Sequence, residues 1–293
     1  MSKPVVTIVI PTFNRSVMLR RCIDSALAQT QPCEVVVVDH GSSDDTPQVV
    51  RGYGDRVRYL RREKDNGVHF AWVDGVVSAQ GEYVHINFDD DYLDSRFIEK
   101  CMAMMAPDVG LVFSKVSLRD EDSGRVESIL FDRFGTSSLY PASAFMDKQL
   151  TGLVSPGATI IRRKDILNAL FVGKVPFARF EYRGVGPDWL MTSMATLDYP
   201  KIGFVDEPLA IFSSHAGSIT TSALRDAEKK RALRRAYHES RRFYALLWLV
   251  KFLRIDLLAD IVLTFMRLKA KVASGVKRIF RKKTYIKNET QNS

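Results

Sequence analysis

The sequence predicts an α/β fold, a mostly parallel, Rossmann-like sheet flanked by helices, with a basic amphipathic helical extension at its C-terminal end. Two patterns and one charge count lead there. Apolar, β-branched runs alternate with segments of helical period through the first ninety residues, the order of a doubly wound sheet with right-handed crossovers. Polar and acidic turns follow those runs. Positive charge is concentrated at one end: of the net +9, residues 225–293 supply 19 Lys/Arg against 6 Asp/Glu, a balance of +13, whereas the preceding 224 residues carry −4.

The elements follow in order. "VVTIVI" (5–10) is a continuous apolar run, as a strand buried on both faces requires. "SVMLRRCIDSALAQ" (16–29) has apolar residues at helical spacing, with Ser16 as the expected N-cap. "EVVVVD" (34–39) is a second buried strand, "DDTPQVVRGY" (44–53) a short helix with Asp44 and Asp45 as capping residues, and "RVRYL" (56–60) a third strand. "HFAWVDGVVSAQ" (69–80) reads as a helix ended by Gly81, and "EYVHINF" (82–88) as the fourth strand. Beyond residue 95 the pattern loosens. "VGLVFSKVSLR" (109–119) reads as a strand, with a turn at 122–124. "GATIIRRKDIL" (157–167) is strand then helix, "GPDWLMTSMATL" (186–197) a helix from just after Pro187, and "IGFVDEPLAIFSSH" (202–215) one or two strands.

Composition excludes several classes. A chain with 46% hydrophobic and 26% charged residues is globular. Cys22, Cys33 and Cys101 have no CxxC or His-partner spacing and read as reduced core thiols of a cytoplasmic protein. "VVTIVI" starts too close to Met1, without a small-residue cleavage site, to be a secretory leader. Aromatic-interleaved basic patches are missing from the body of the chain, so nucleic acid is not the expected partner.

In open α/β sheets ligands bind outside the carboxyl ends of the strands. Those ends here read "PTFN" (11–14), "DHGSSDD" (39–45) and "DDD" (89–91). Adjacent carboxylates repel one another unless a cation sits among them, and hard divalent ions take carboxylates together with substrate phosphates. A metal–diphosphate site and a solvated acidic turn are both consistent with "DDD" alone. No G-x-G-x-x-G follows the first strand and no G-x-x-x-x-G-K-[ST] occurs, so a glycine-rich phosphate cradle is excluded.

Taken together, "VVTIVIPTFNR", "VVVVDHGSSDDT" and "GEYVHINFDDD" resemble family 2 glycosyltransferases of the GT-A fold, inverting enzymes of the bacterial surface-polysaccharide type; the resemblance runs from about residue 4 to 220. It implies a catalytic domain over 1–222, with a nucleotide-binding half (1–95) and an acceptor half (96–222), followed by the extension 223–293. Pro11, Thr12 and Phe13 would line the nucleotide pocket, Asp39 would contact the base or ribose, and Asp89 the ribose. Asp90, with Asp91 and His215 of "SSHAGS", would bind Mn²⁺ or Mg²⁺ and the diphosphate, and Asp188 of "GPDWL" would be the base. The chain departs from the family pattern at four places: His40 where a second Asp is usual, Ala71-Trp72-Val73 for "ARN", Pro187 for a Glu, and Ser213-Ser214 for an Arg.

The implied reaction moves a sugar from a nucleotide-diphosphate sugar to a hydroxyl of a glycan or polyprenyl-diphosphate-linked acceptor. Two alternatives from other classes stand beside it, a nucleotidylyltransferase and a non-catalytic membrane-associated GT-A-like protein. His69, His85 and His238 read as structural, and Trp72 as helix packing. The stretch 241–283 mixes apolar and basic residues, and its longest uncharged run, Phe243 to Val250, is far short of the roughly 20 residues that span a bilayer. Amphipathic helices on an anionic membrane surface are therefore expected, with the protein peripheral on the inner face of the cell membrane.

Overall fold

The computed structural model describes residues 4–151, 154–172, 174–180, 186–215, 226–253 and 257–269. Strands β1 (Val6–Thr12), β2 (Glu34–Asp39), β3 (Arg58–Arg61) and β4 (Tyr83–Ile86) alternate with helices α1 (Ser16–Leu27), α2 (Thr46–Arg51) and α3 (Val68–Ser78). Then follow β5 (Tyr92–Leu93), α4 (Phe97–Met102), β6 (Val109–Asp120), β7 (Val126–Leu130), β8 (Ser138–Pro141), α5 (Ala142–Thr151), β9 (Thr159–Arg162) and α6 (Arg163–Ala169). Helices α7 (Pro187–Ser193) and α8 (Ala195–Asp198), strand β10 (Lys201–Ser214) and the long helix α9 (Ala227–Phe252) complete the named elements.

All ten strands join one sheet in the order β3-β2-β1-β4-β9-β6-β10-β5, with β7 on β6 and β8 on β10. β1, β2, β3 and β4 pair in parallel. The short β9 lies antiparallel to both β4 and β6, so β6 points the same way as β4, and β10 runs parallel to β6. Six strands thus share one direction, and the turns after β1, β2, β4, β6 and β10 all open on one rim.

The predicted elements of the first ninety residues are all present, with ends shifted by a few residues. The reason is burial on both faces. Side chains alternate across a strand, and Val6, Ile8 and Ile10 enter one core with Leu19, Cys22 and Ile23 of α1, while Val9 enters a second core with Ala71, Trp72 and Val76 of α3. A polar residue at any of these positions would face a helix, not water. Full burial of each such side chain contributes about 1.5–3 kcal/mol. Gly75 permits the close approach of α3, because a Cβ there would lie 2.2 Å from Val9 Cγ1.

Two local expectations change. Ser16 is the first helical residue, not the cap: Arg15 holds the N-cap position without a side-chain bond, and Asp44 Oδ2 accepts the Ser16 N–H from across the rim at 3.0 Å. Asp44 Oδ1 also accepts the Thr46 N–H, so one carboxylate closes two helix starts, while Asp45 makes no cap bond. Of the one or two strands expected over 202–215, the structure has one long strand with register shifts.

The chain divides into two compact units, Met1–Tyr244 and Ala245–Ser293. In the first, α9 begins by packing its Ala236, Phe243 and Tyr244 into the protein. In the second, Leu246, Trp248, Leu249, Phe252 and the helical run 257–269 leave large apolar side chains exposed. Among the described residues no helix is long and apolar enough to cross a membrane. The basic "KRIFRKK" (277–283) lies outside the described residues.

Candidate functional site

Asp39 ends β2 and Asp188 lies on α7, while the carboxyl rim gathers Pro11, Thr12, Phe13 and Asp89–Asp91, with His215 from beyond β10, around the gap between β1 and β4. Here the strand order reverses, the usual position of a ligand in such sheets. Thr12, the last residue of β1, donates its hydroxyl to Asp89 Oδ2 at 2.8 Å, and the Phe13 N–H points at the same oxygen at 3.4 Å. Pro11 is buried beneath them, whereas the Phe13 ring is exposed. Asn14 sits at φ 53, a left-handed conformation that Asn tolerates. Its side chain accepts the Ser43 N–H at 2.8 Å and its own N–H donates to Ser42 Oγ at 2.9 Å, tying the first turn to the second.

Asp39, at the end of β2, is fully buried. Its Oδ1 accepts the N–H groups of Gly41 and Ser42, and its Oδ2 accepts the Tyr59 hydroxyl at 2.6 Å. Gly41 lies at φ +90, and a Cβ there would meet the Glu63 carbonyl at 2.9 Å, so this turn requires glycine. His40, which replaces the usual acid, faces Asp65 at 3.5 Å; burial lowers its pKa in spite of that neighbour.

The three consecutive aspartates point in three directions. Asp89 turns to β1. Asp90 turns outward, where its Oδ2 meets the Arg15 guanidinium and lies 3.0 Å from His215 Nε2. Asp91 turns inward, its Oδ1 accepting the Ser213 N–H of β10 at 3.0 Å. Burial, with the Asp90 charge adding to it, pushes Asp89 up to about 7 against the opposing effect of Arg15, and raises Asp91 well above the carboxylate range.

The donor chemistry at Asp90 suits a divalent cation. Among the described residues no group of three His/Cys/Asp/Glu is arranged to hold a metal. Asp90 and His215 are nevertheless brought together from distant parts of the chain, and two protein ligands completed by phosphate and water is the ordinary arrangement for Mg²⁺. Arg15 brings one positive charge beside three aspartates, and a cation bound there would favour the ionised forms of Asp89 and Asp91 that burial disfavours.

Asp188 starts α7 in a different surrounding. Its Oδ1 accepts the N–H groups of Gly186 at 2.8 Å and Trp189 at 2.9 Å, and Pro187, which has no N–H to leave unpaired, forms the first helical residue. Oδ2 faces the Tyr237 hydroxyl of α9 at 3.5 Å. Burial raises this carboxyl to about 6, against the lowering effect of those donors. Gly186, at φ +94, permits the contact of α9: a Cβ there would come within 2.8 Å of Ala236. Trp189 is fully buried and anchors α7 through an Nε1–H bond to the Gln149 carbonyl. The turn 156–158 touches β4, β10 and α7, and a Cβ on its Gly157 would lie 3.3 Å from Phe88, next to Asp89.

Three residues at these sites were not singled out in the sequence. Arg15 stands inside the quoted "PTFNR", but nothing there names its partner. Arg21 belongs to an ordinary amphipathic helix, and Tyr237 to a segment read as an extension. His85 and Trp72 are structural as expected: His85 is buried with Nδ1 2.8 Å from the Thr159 carbonyl, and Trp72 packs against His69 and Phe88.

Comparisons with known proteins show the family and the fold. Glycosyl transferase family 2 matches residues 7–169, more than half of the chain. An uncharacterized glycosyltransferase of Rickettsia felis is 40% identical over 97 residues, covering 32% of this chain and 16% of the relative. The chondroitin synthase of Escherichia coli is 32% identical over 123 residues, covering 41% of this chain and 18% of the synthase. The chain therefore spans less than a fifth of either relative. In fold it is similar to S. aureus TarS 1–349, solved in complex with UDP-GlcNAc, with a TM-score of 0.58 at 20% identity, covering 73% of this chain and 59% of that one.

Proposed function

The chain belongs to glycosyl transferase family 2, and we propose that it moves a sugar from a nucleotide-diphosphate donor to a hydroxyl of a glycan or lipid-linked glycan, inverting the anomeric centre. The observation that carries this reading is the convergence of Thr12, Arg15, Asp89, Asp90 and His215 at the strand-order reversal. The similarity to a chondroitin synthase supports a polysaccharide product, which we assign to cell-surface polysaccharide synthesis.

Pro11, Thr12, Phe13 and Asp39 line the place for the nucleoside, and Asp89 is set to bond the ribose. Asp90 and His215 would hold Mn²⁺ or Mg²⁺, which when bound supplies electrostatic stabilisation of the departing diphosphate. Asp91, turned toward β10, fixes the rim that carries His215. Asp188 is the base. Two backbone N–H groups hold one of its oxygens, and the other, met by the long 3.5 Å contact from the Tyr237 hydroxyl, is the one to take a proton. As the acceptor oxygen forms its bond to the anomeric carbon, the hydroxyl proton passes to Asp188 and the bond to the diphosphate oxygen breaks on the opposite face. A carboxyl poised near 6 is ionised at neutral pH yet more basic than an ordinary aspartate. Such general-base catalysis contributes about 10²–10⁴-fold. The exposed apolar side chains after Tyr244 and the basic tail support a place on the inner, anionic face of the cell membrane.

The test is a melting-temperature screen of UDP, dTDP, GDP and CDP with Mn²⁺, followed by transfer assays with the sugar nucleotides of whichever base binds. Glycoside formation is expected, with Asp188→Asn retaining donor binding and losing transfer. Near-wild-type transfer by that variant would remove Asp188 from the role, and formation of a nucleotide sugar in place of a glycoside would overturn the reaction class.

A further inference from the structure

We propose that Arg21 is a positioning residue for the cation site: it clips three rim segments together and so sets the separation of Asp90 and His215. The proposal rests on the reading of those two residues as metal ligands, and goes beyond it by naming what holds them.

The ligand pair has a structural problem. Asp90 and His215 are 125 positions apart in the chain. Asp90 sits in the turn after β4 and His215 just beyond the end of β10, with β9 and β6 lying between those strands. Their 3.0 Å approach is set in part by β5, which begins two residues after Asp90 and pairs with β10, Tyr92 opposite Ile211. It is set also by the Asp91–Ser213 bond, and by one further link across the rim that also holds α1 and the end of β6.

Arg21 spans it. From α1 its two terminal nitrogens form a fork on Glu121, at 3.1 Å from Nη1 to Oε1 and 2.7 Å from Nη2 to Oε2. Nη2 also donates to Ser213 Oγ at 2.9 Å and to the Asp90 carbonyl oxygen at 3.2 Å. Two hydrogens on Nη2 serve three acceptors, so one of those bonds is shared. The guanidinium stacks 4.3 Å from the centre of the Tyr92 ring, which fixes its plane. Each group it grips adjoins the site. The Asp90 carbonyl belongs to one proposed ligand, and Ser213 lies two residues before the other. Glu121 donates its N–H to the Ser214 carbonyl at 3.0 Å, joining the end of β6 to the end of β10.

The charge arrangement fits the same role. Glu121 neutralises Arg21 through the fork, so Arg21 meets Asp90 at its backbone and leaves the Asp90 carboxylate to Arg15, His215 and a metal ion. A lysine cannot replace it, since one ammonium cannot grip a carboxylate in a fork while reaching two further acceptors in the same plane.

The experiment measures Mn²⁺ affinity by electron paramagnetic resonance, in the presence of the nucleoside diphosphate that most raises the melting temperature of the full chain. Wild type, Arg21→Met, Arg21→Lys and the milder Glu121→Gln are compared, with metal-free nucleotide affinity and melting temperature recorded for each. Outer partners of metal ligands are worth about 10–100-fold in affinity. Arg21→Met is expected to weaken Mn²⁺ binding by that factor, with no rescue by Lys and a smaller loss in Glu121→Gln, while metal-free nucleotide affinity stays unchanged. Unaltered Mn²⁺ affinity in Arg21→Met, or rescue by Lys, would overturn the positioning role while leaving the metal reading intact. Mn²⁺ failing to bind the wild-type chain would overturn both. Should Arg21→Met not fold, Glu121→Gln decides: unchanged Mn²⁺ affinity there overturns the proposal.

Discussion

Replacing Asp188 by asparagine should remove transfer and at the same time stabilise the protein. Burial raises the carboxyl from 3.8 to about 6. In the unfolded chain it returns to the ordinary value, so between those two pH values the folded state holds a proton that the unfolded state has lost. Stability contributed by such a group is present below pH 4, falls as pH rises to 6, and is flat above. A difference of about two pH units corresponds to about 3 kcal/mol of penalty at neutral pH. Asparagine keeps a carbonyl oxygen for the Gly186 and Trp189 N–H groups and carries no charge. Urea unfolding of both proteins at pH 4, 5, 6 and 8 should show no difference at pH 4, a growing advantage for Asp188→Asn up to pH 6, and a plateau beyond. In a melting experiment the plateau corresponds to a rise of about 6–12 °C for a unit of this size. Equal or lower stability of the variant at pH 8, or a difference independent of pH, would refute the argument that an uncompensated buried charge is held ready at this position.

Tyr237→Phe removes a donor that lowers the Asp188 pKa, so the acid limb of kcat should move to higher pH; an unchanged limb would mean the hydroxyl does not reach the carboxylate. Thiol titration of the native protein should find Cys22 and Cys101 unreactive, both being buried with thiols pushed upward by desolvation, and Cys33 slow, its thiol held at about 11. Deleting 245–293 should leave a folded unit that still binds nucleotide but no longer sediments with anionic vesicles; sedimentation equal to the full chain would rule out the membrane role. The cut belongs after Tyr244 because Phe243 packs on Phe171, and Tyr244 packs on Trp189 and bonds Thr196.

By itself the sequence determined the parallel half of the sheet and the turns that make the rim. Strands covered on both faces are apolar at nearly every position, a buried exception such as Thr7 being bonded to Glu34, and such runs are legible without any partner, as Val6–Ile10 and Val35–Val38 were. Tertiary structure decided the rest. β5 has two residues and β8 four, and neither was read from the sequence; β9 was read as a strand, but its antiparallel place between β4 and β6 follows only from its neighbours in the sheet. "DDD" announced charge but not direction: that Asp89 faces β1, Asp90 faces His215 and Asp91 faces β10 depends on contacts 76 to 125 positions away. Arg15, Arg21 and Tyr237 are of residue types that serve equally well on any wet surface. Local sequence fixes backbone and burial through short-range sterics and hydrophobicity, whereas the partner of a charged side chain is chosen by whichever distant segment the fold brings within about 3 Å.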